Sequence, residues 1–282
     1  MRFARLGPVG SEIPVVLHDG GAFDLRSIAA DIDGAFFAAG GVDAARAAVA
    51  AGALPAVATE GLRVGAPIAR PGKIVCVGLN YSDHAEETGA TLPDESVIFM
   101  KDPSTMVGAF DDVLIPRQSV KTDWEVELGV VIGATARYLD SPDDAAAVIA
   151  GYAVSHDVSE RAFQLERGGT WDKGKSCETF NPFGPELVSA DEVADPQALG
   201  LRLWVNGVER QNGTTANMAF GVHHIIWYLS QFMVLQPGDV INTGTPAGVA
   251  MGLPGQPYLR AGDVVELEID GLGRARQTMV QA

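Results

Sequence analysis

The apolar positions of this chain fall into short blocks broken by glycine and proline rather than into long helical stripes. Four blocks rich in valine and isoleucine have the length of strands: KIVCVGL, DWEVELGVVIG, IAGYAVSHD and DVINTG. Nearer the N-terminus, EIPVVLH and GAFDL are joined through His18-Asp19-Gly20-Gly21, a hairpin signal. An alanine-rich stretch from about Asp43 to Ala53 predicts a helix that stops before Pro55. A second helical stripe, from about Asn217 to Leu235, carries Met218, Val222, Ile225, Ile226, Leu229, Phe232 and Met233 on one side. The stretch VGAPIARPGK, with two prolines and two glycines, reads as a linker. The pattern predicts an α+β, mostly β protein, with a small N-terminal domain over 1–70 and a larger domain over 71–282.

One strand carries the main chemical signal. In DWEVELGVVIG the side-chain period of two puts Glu125 and Glu127 on one face, with Trp124, Val126 and Leu128 on the other. A bare E-x-E is more often a solvated strand face. Here the run stays apolar through Leu128, Gly129, Val130, Val131 and Ile132, the pattern of a strand covered on both sides. Covered carboxylates need partners, and a hard divalent cation offsets both their repulsion and their lost hydration. Asp157 closes IAGYAVSHD, where a strand end could deliver a third ligand.

Other segments add chemistry of lower specificity. In GLNYSDHAEETGA a helix over 81–88 would put His84 and Glu87 on one face, the geometry of a general base steadied by a carboxylate. Gly78 and Gly89 bracket it as they would a lid. Arg161 and Gln164 follow Asp157 by four and seven residues, on one stripe of an expected helix, and suit a carboxylate or keto oxygen. Lys173 and Lys175 lie in a glycine-rich segment expected to be a loop. PGDVINTGTPAGVAMG ends a strand in a turn with exposed N–H groups, which is either an anion cradle or a tight connection.

Composition then narrows the function classes. The formal net charge of −16 disfavours nucleic acid and anionic membrane partners. No apolar stretch reaches membrane-spanning length, and MRFARLGPVG lacks a signal-peptide core. Two cysteines, Cys76 and Cys177, point to free thiols in a reducing cytoplasm; Lys175 is near enough in sequence to lower the Cys177 pKa, but the favoured reading is a packed or incidental thiol. His223 and His224 are adjacent on a helix and diverge by about 100°, so they cannot share a ligand face. The sequence holds no H-E-x-x-H, CxxC or G-x-S-x-G.

The ordered set GLNYSDHAEE, DWEVELGVVIG, HDVSERAFQ, KGKSCETFNPFGP, VNGVERQNG and PGDVINTGTPAGV closely resembles the fumarylacetoacetate hydrolase superfamily over roughly residues 72 to 270. Within it, the likeness is to bacterial members of the acylpyruvate or 2,4-diketo-3-deoxy-sugar-acid hydrolase type. The resemblance implies a β-roll or sandwich-like catalytic domain, a homodimer, and Mg²⁺ or Mn²⁺ on Glu125, Glu127 and Asp157. It implies a lid dyad of His84 and Glu87 that activates water, Lys175 beside the metal, and substrate contacts from Arg161, Gln164 and Thr245. The founding hydrolase of the superfamily has a fourth carboxylate at its metal, and this chain resembles the smaller branch that uses the lid dyad.

The activity so implied is hydrolysis of a C–C bond in a small anionic 2-oxo acid, through a pyruvate enolate. Oxaloacetate decarboxylation would pass through that same enolate, and isomerases of 2-hydroxy-diene-dioates have very similar sequences. A non-catalytic metal-containing binding module is the alternative from a different class.

Overall fold

The computed structural model describes residues 1–89 and 91–282; Ala90, which ends the motif GLNYSDHAEETGA, lies outside them. An eleven-stranded sheet forms the body. Its centre is the antiparallel pair Val126–Ile132 and Ile149–His156, flanked by Val240–Asn242 on one side and Asn181–Ser189 on the other. Beyond Val240–Asn242 lie Ile74–Gly78, which pairs with it in parallel, and Val97–Lys101. Every residue of Val126–Ile132 is buried, as its unbroken apolar run required.

A five-stranded sheet, Gly200–Val205 and Val264–Ile269 at its middle, covers one face of this body. The core between them includes Val126, Leu128 and Val130 from the large sheet, Trp124 just before that strand, and Leu201, Leu203 and Leu267 from the small sheet. The opposite face packs Val131, Ala153 and Phe183 against Phe36 and Phe37 of the N-terminal region. The alternation in DWEVELGVVIG thus separates two cores, and each buried side chain of this size contributes about 1.5–3 kcal/mol. The molecule is α+β and mostly β, as expected.

The N-terminal hairpin forms with Ile13–His18 and Gly21–Asp24, and its turn residues Asp19 and Gly20 have φ of 47° and 76°. Its neighbour Arg2–Leu6 pairs with Asn181–Ser189, so residues 1–57 extend the large sheet by four strands. The expected linker is tied down. Gly65 to Ile68 are buried, and the Gly65 and Ala69 N–H groups donate to Arg5 and Ile32 carbonyls at 2.8 and 2.6 Å.

Three sequence expectations need correction. The alanine-rich helix runs over Gly41–Ala50, after a short helix Gly34–Ala38. The helix expected from Asn217 to Leu235 is only Val222–Ser230. Its ends are claimed by other elements: Phe220 N–H donates to Asn80 (2.9 Å), Val222 N–H to Gln197 (2.6 Å), and Leu235 pairs with Ala136. The segment around Lys173 and Lys175 is not all loop, since Asp172–Lys175 forms a helical turn and Asn181–Ser189 a strand. No helix among the described residues is long and apolar enough to cross a membrane.

Candidate active site

Strand register assembles the acidic cluster. Val126 pairs with His156, so Asp157, one residue past the end of its strand, falls beside Glu125 and donates its N–H to the Glu125 carbonyl at 3.0 Å. Carboxylate oxygens of Glu125, Glu127 and Asp157 lie within 4.8 Å of one another, and all three side chains are buried.

Cations answer two of the three. Lys175 Nζ donates to Glu125 Oε2 (2.6 Å) and Asp157 Oδ2 (2.8 Å), and Arg161 Nη2 donates to Glu125 Oε1 (2.6 Å). Burial opposes ionisation of Glu125, but the positive charges of Lys175 and Arg161 outweigh it and hold its pKa below the usual range. Burial likewise disfavours charged Lys175, and Asp157 and Glu125 more than reverse this. Glu127 differs. It accepts from the Gly244 N–H at 2.8 Å and forms no ion pair among the described residues. Burial, then the charges of Asp157 and Glu125, push its pKa well above normal. An all-oxygen, buried, acidic donor set with one member lacking its own counter-charge fits a hard divalent cation.

The lid segment forms the helix Ser82–Thr88, with Gly89 left-handed at its end. Asn80 anchors its start, donating to the Thr243 and Phe220 carbonyls at 2.8 and 3.0 Å. His84 Nδ1 faces Glu87 Oε2 at 3.5 Å, and both oxygens of Glu87 accept the Gly248 N–H at 3.0 Å. A Cβ on Gly252 would meet the Glu87 carboxylate carbon at 2.5 Å, so the turn can approach this closely only as glycine.

The glycine-rich turn therefore does cradle anions, but they are the protein's own. Its N–H groups at Gly244, Gly248, Ala250 and Met251 hold Glu127, Glu87 and Asp123. Thr245 in the same turn donates to the Val126 carbonyl (2.9 Å).

Two buried residues went unnoticed in the sequence. Asp123 accepts Arg161 Nε (2.9 Å) and the Ala250 and Met251 N–H groups (2.7 and 3.0 Å). Lys101 donates to Asp157 and to the Val158 carbonyl, the latter at 3.0 Å. The available signal for Lys101 was a cation closing the apolar run VIFMK, where burial demands a carboxylate partner.

Arg161 and Gln164 do meet, with Arg161 Nη1 donating to Gln164 Oε1 at 3.1 Å, but not on the stripe expected from Asp157. Ser159–Glu160 is extended and pairs with Thr122–Asp123, so the helix begins only at Arg161. Cys177 is a partly buried thiol that Lys175 does not activate, the packed reading that the sequence favoured. Burial pushes its pKa up to about 11.

His84, Glu125, Glu127, Arg161, Gln164, Lys175 and Thr245 line one cavity of about 210 Å³. Residues 73–280 match the family model of the fumarylacetoacetate hydrolase C-terminal region. The chain belongs to the fumarylacetoacetate hydrolase family. A relative from Burkholderia multivorans, named provisionally as a hydrolase with no substrate, is 50% identical over 279 residues, 98% of each chain. The solved fumarylacetoacetate hydrolase of Exiguobacterium antarcticum is 32% identical with a TM-score of 0.85, covering 100% of both chains. A maleylpyruvate hydrolase from Sphingobium sp. SYK-6, solved with manganese(II) and pyruvate, is 28% identical with a TM-score of 0.81 over 100% of both chains. Family neighbours also include a 2-hydroxyhepta-2,4-diene-1,7-dioate isomerase from Mycobacterium marinum, 29% identical with a TM-score of 0.77 over 100% of this chain and 98% of that one.

Proposed function

We propose that this protein is a divalent-metal-dependent hydrolase that cleaves the C–C bond of an acylpyruvate or related 2,4-diketo acid. The observation that carries the reading is one cavity lined by His84, which pairs with Glu87, and by Glu125 and Glu127, which form an acidic cluster with Asp157. Mg²⁺ or Mn²⁺ held by those three carboxylates would supply Lewis-acid polarisation of the 2-oxo acid oxygens.

The chain's own groups account for the proton traffic. His84, whose Nδ1 faces Glu87, takes a proton from water. That water attacks the acyl carbonyl carbon, the bond to the methylene carbon breaks, and its electron pair passes into the enolate of pyruvate. The acyl group leaves as a carboxylic acid, and the proton on His84 returns to the methylene carbon. Lys175 makes two hydrogen bonds with its three donors, so one remains for the oxygen on which charge develops. Arg161, held on Asp123, Glu125 and Gln164, presents positive charge to the substrate carboxylate.

The test is pyruvate release from acylpyruvates, 2,4-diketo-3-deoxy sugar acids and oxaloacetate, each with Mg²⁺ and with EDTA. Metal-dependent release from a diketo acid supports the hydrolase. Turnover of oxaloacetate alone would assign a decarboxylase, and isomerisation of a 2-hydroxy-diene-dioate would align it with its M. marinum neighbour. Binding with no turnover of any of them would leave a binding module. We further propose a cytoplasmic homodimer.

A further inference from the structure

We infer that the part of the substrate distal to its 2-oxo acid end is an uncharged, apolar acyl group, a short alkyl chain or a single ring, and not a second carboxylate. This rests on the acylpyruvate reading above and specifies its substrate class.

The cavity is chemically divided. Its titratable lining residues are His84 of the lid dyad, the ion-paired Glu125, Arg161 and Lys175, and Glu127 beside them in the acidic cluster. Three of the five N–H donors of Arg161 are engaged by Asp123, Glu125 and Gln164, and two of the three of Lys175 by Glu125 and Asp157, so both cations are fixed at the acidic cluster. The rest of the lining is mainly Val77, Leu79, Phe99, Leu165, Trp171 and Met251.

This apolar wall is built into the fold. Phe99 and Trp171 pack with ring centroids 5.3 Å apart, and Lys175 Nζ sits 4.9 Å from the Phe99 centroid, which joins the wall to the charged cluster. Trp171 lies against the end of Ile74–Gly78, where a Cβ on Gly78 would be 2.5 Å from its ring. Leu165, almost half exposed, leaves the mouth apolar too. A second carboxylate pressed on this wall would lose hydration without gaining a cation. A methylene chain would gain about fourfold in affinity per buried CH₂. The volume, about 210 Å³, is smaller than the roughly 300–1,000 Å³ of pockets for drug-sized ligands.

Calorimetric titration of the Mn²⁺-loaded protein with 2-oxohexanoate, phenylpyruvate, 2-oxoglutarate and 2-oxoadipate separates the cases without relying on turnover. The expected result is binding of 2-oxohexanoate at least tenfold tighter than 2-oxoadipate, which has the same carbon count and a terminal carboxylate. In parallel, kcat/KM should be higher for hexanoylpyruvate than for fumarylpyruvate. Met251→Arg should narrow or invert the binding ratio by supplying a cation, and Trp171→Ala should lower it by removing the wall. Equal or tighter binding of 2-oxoadipate overturns the inference, as does failure of every 2-oxo acid to bind at millimolar concentration. Preference for 2-oxohexanoate without pyruvate release from any acylpyruvate upholds the apolar subsite and refutes the hydrolase instead.

Discussion

The Lys175 ammonium bridges Glu125 and Asp157, at 2.6 and 2.8 Å, within the same acidic cluster that suits a divalent cation. Without metal it sits between two buried carboxylates that would otherwise repel, with Arg161 on the first and Lys101 on the second. With metal, ammonium and cation share those oxygens. The lysine is therefore both a brace for the metal-free fold and a competitor for the ligands, and its removal should have effects of opposite sign on stability and metal affinity.

Lys175→Met should destabilise the metal-free protein by about 3–5 kcal/mol, the usual cost of breaking a buried pair from one side. Its Mn²⁺ affinity should rise, and its turnover should fall for want of the ammonium at the developing charge. Thermal scans with and without Mn²⁺ read both effects. An unchanged metal-free melting temperature would reject the brace.

Glu127→Gln should behave differently, because Glu127 has no ion pair to lose and is buried against other negative charges. The neutral amide keeps an oxygen for the Gly244 N–H and relieves the repulsion, so metal-free stability should hold or increase. Mn²⁺ affinity should drop by more than about 100-fold, beyond what outer-sphere changes cause. Full turnover by this variant in EDTA would remove Glu127 from the metal site.

His84→Ala should cut acylpyruvate hydrolysis by about 10²–10⁴-fold, the worth of a positioned general base. Any oxaloacetate decarboxylation should suffer less, since it needs no attacking water, whereas Lys175→Ala should damage both. Equal losses in the two reactions for His84→Ala, at unchanged metal affinity, would contradict a water-activating role. Gly252→Ala should reproduce part of the hydrolysis defect by pushing Glu87 off its seat.

Cys177 should alkylate slowly. With its thiol pushed up to about 11, it stays protonated at neutral pH, and its reactivity climbs only as pH rises toward that value. At pH 8 the thiolate fraction is about one thousandth, so iodoacetamide labelling should be far slower than for a free thiol. Rapid labelling of Cys177 at pH 7 would rule out the raised pKa.

The proposed homodimer should give a light-scattering mass near twice 29.6 kDa, about 59 kDa. Tyr228 and Phe232 pack with tilted rings, centroids 4.8 Å apart, on the helix Val222–Ser230 and its end, and Phe232 is 63% exposed, which offers apolar surface for a partner. A mass near 29.6 kDa at micromolar concentration would count against the dimer.

Local pattern made much of this legible. The buried strand, the hairpin, the helix bearing His84 and Glu87, and the shared face of Glu125 and Glu127 all follow from spacing of two or of three to four along the chain. Helix ends were legible only in part. The helix expected from Asn217 stops short at both ends because Asn80, Gln197 and Ala136, distant in sequence, bind its flanking backbone. Lys101 was legible only as a buried cation in need of a carboxylate, and Asp123 not at all, because the partner of each is reached across strands and turns.

By itself, then, the sequence determined which carboxylates had to be buried together and which segments would carry the histidine, lysine and arginine near them. Burial demand is written in local hydrophobicity, and so can be read without coordinates. Tertiary structure alone decided how the charges divide: Lys175 bridging Glu125 and Asp157, Glu127 left to a backbone N–H, and the glycine-rich turn spent on the protein's own carboxylates. Pairing energies depend on distances of a few ångströms between residues as far apart as Glu87 and Gly248, 161 positions, and no local pattern encodes them.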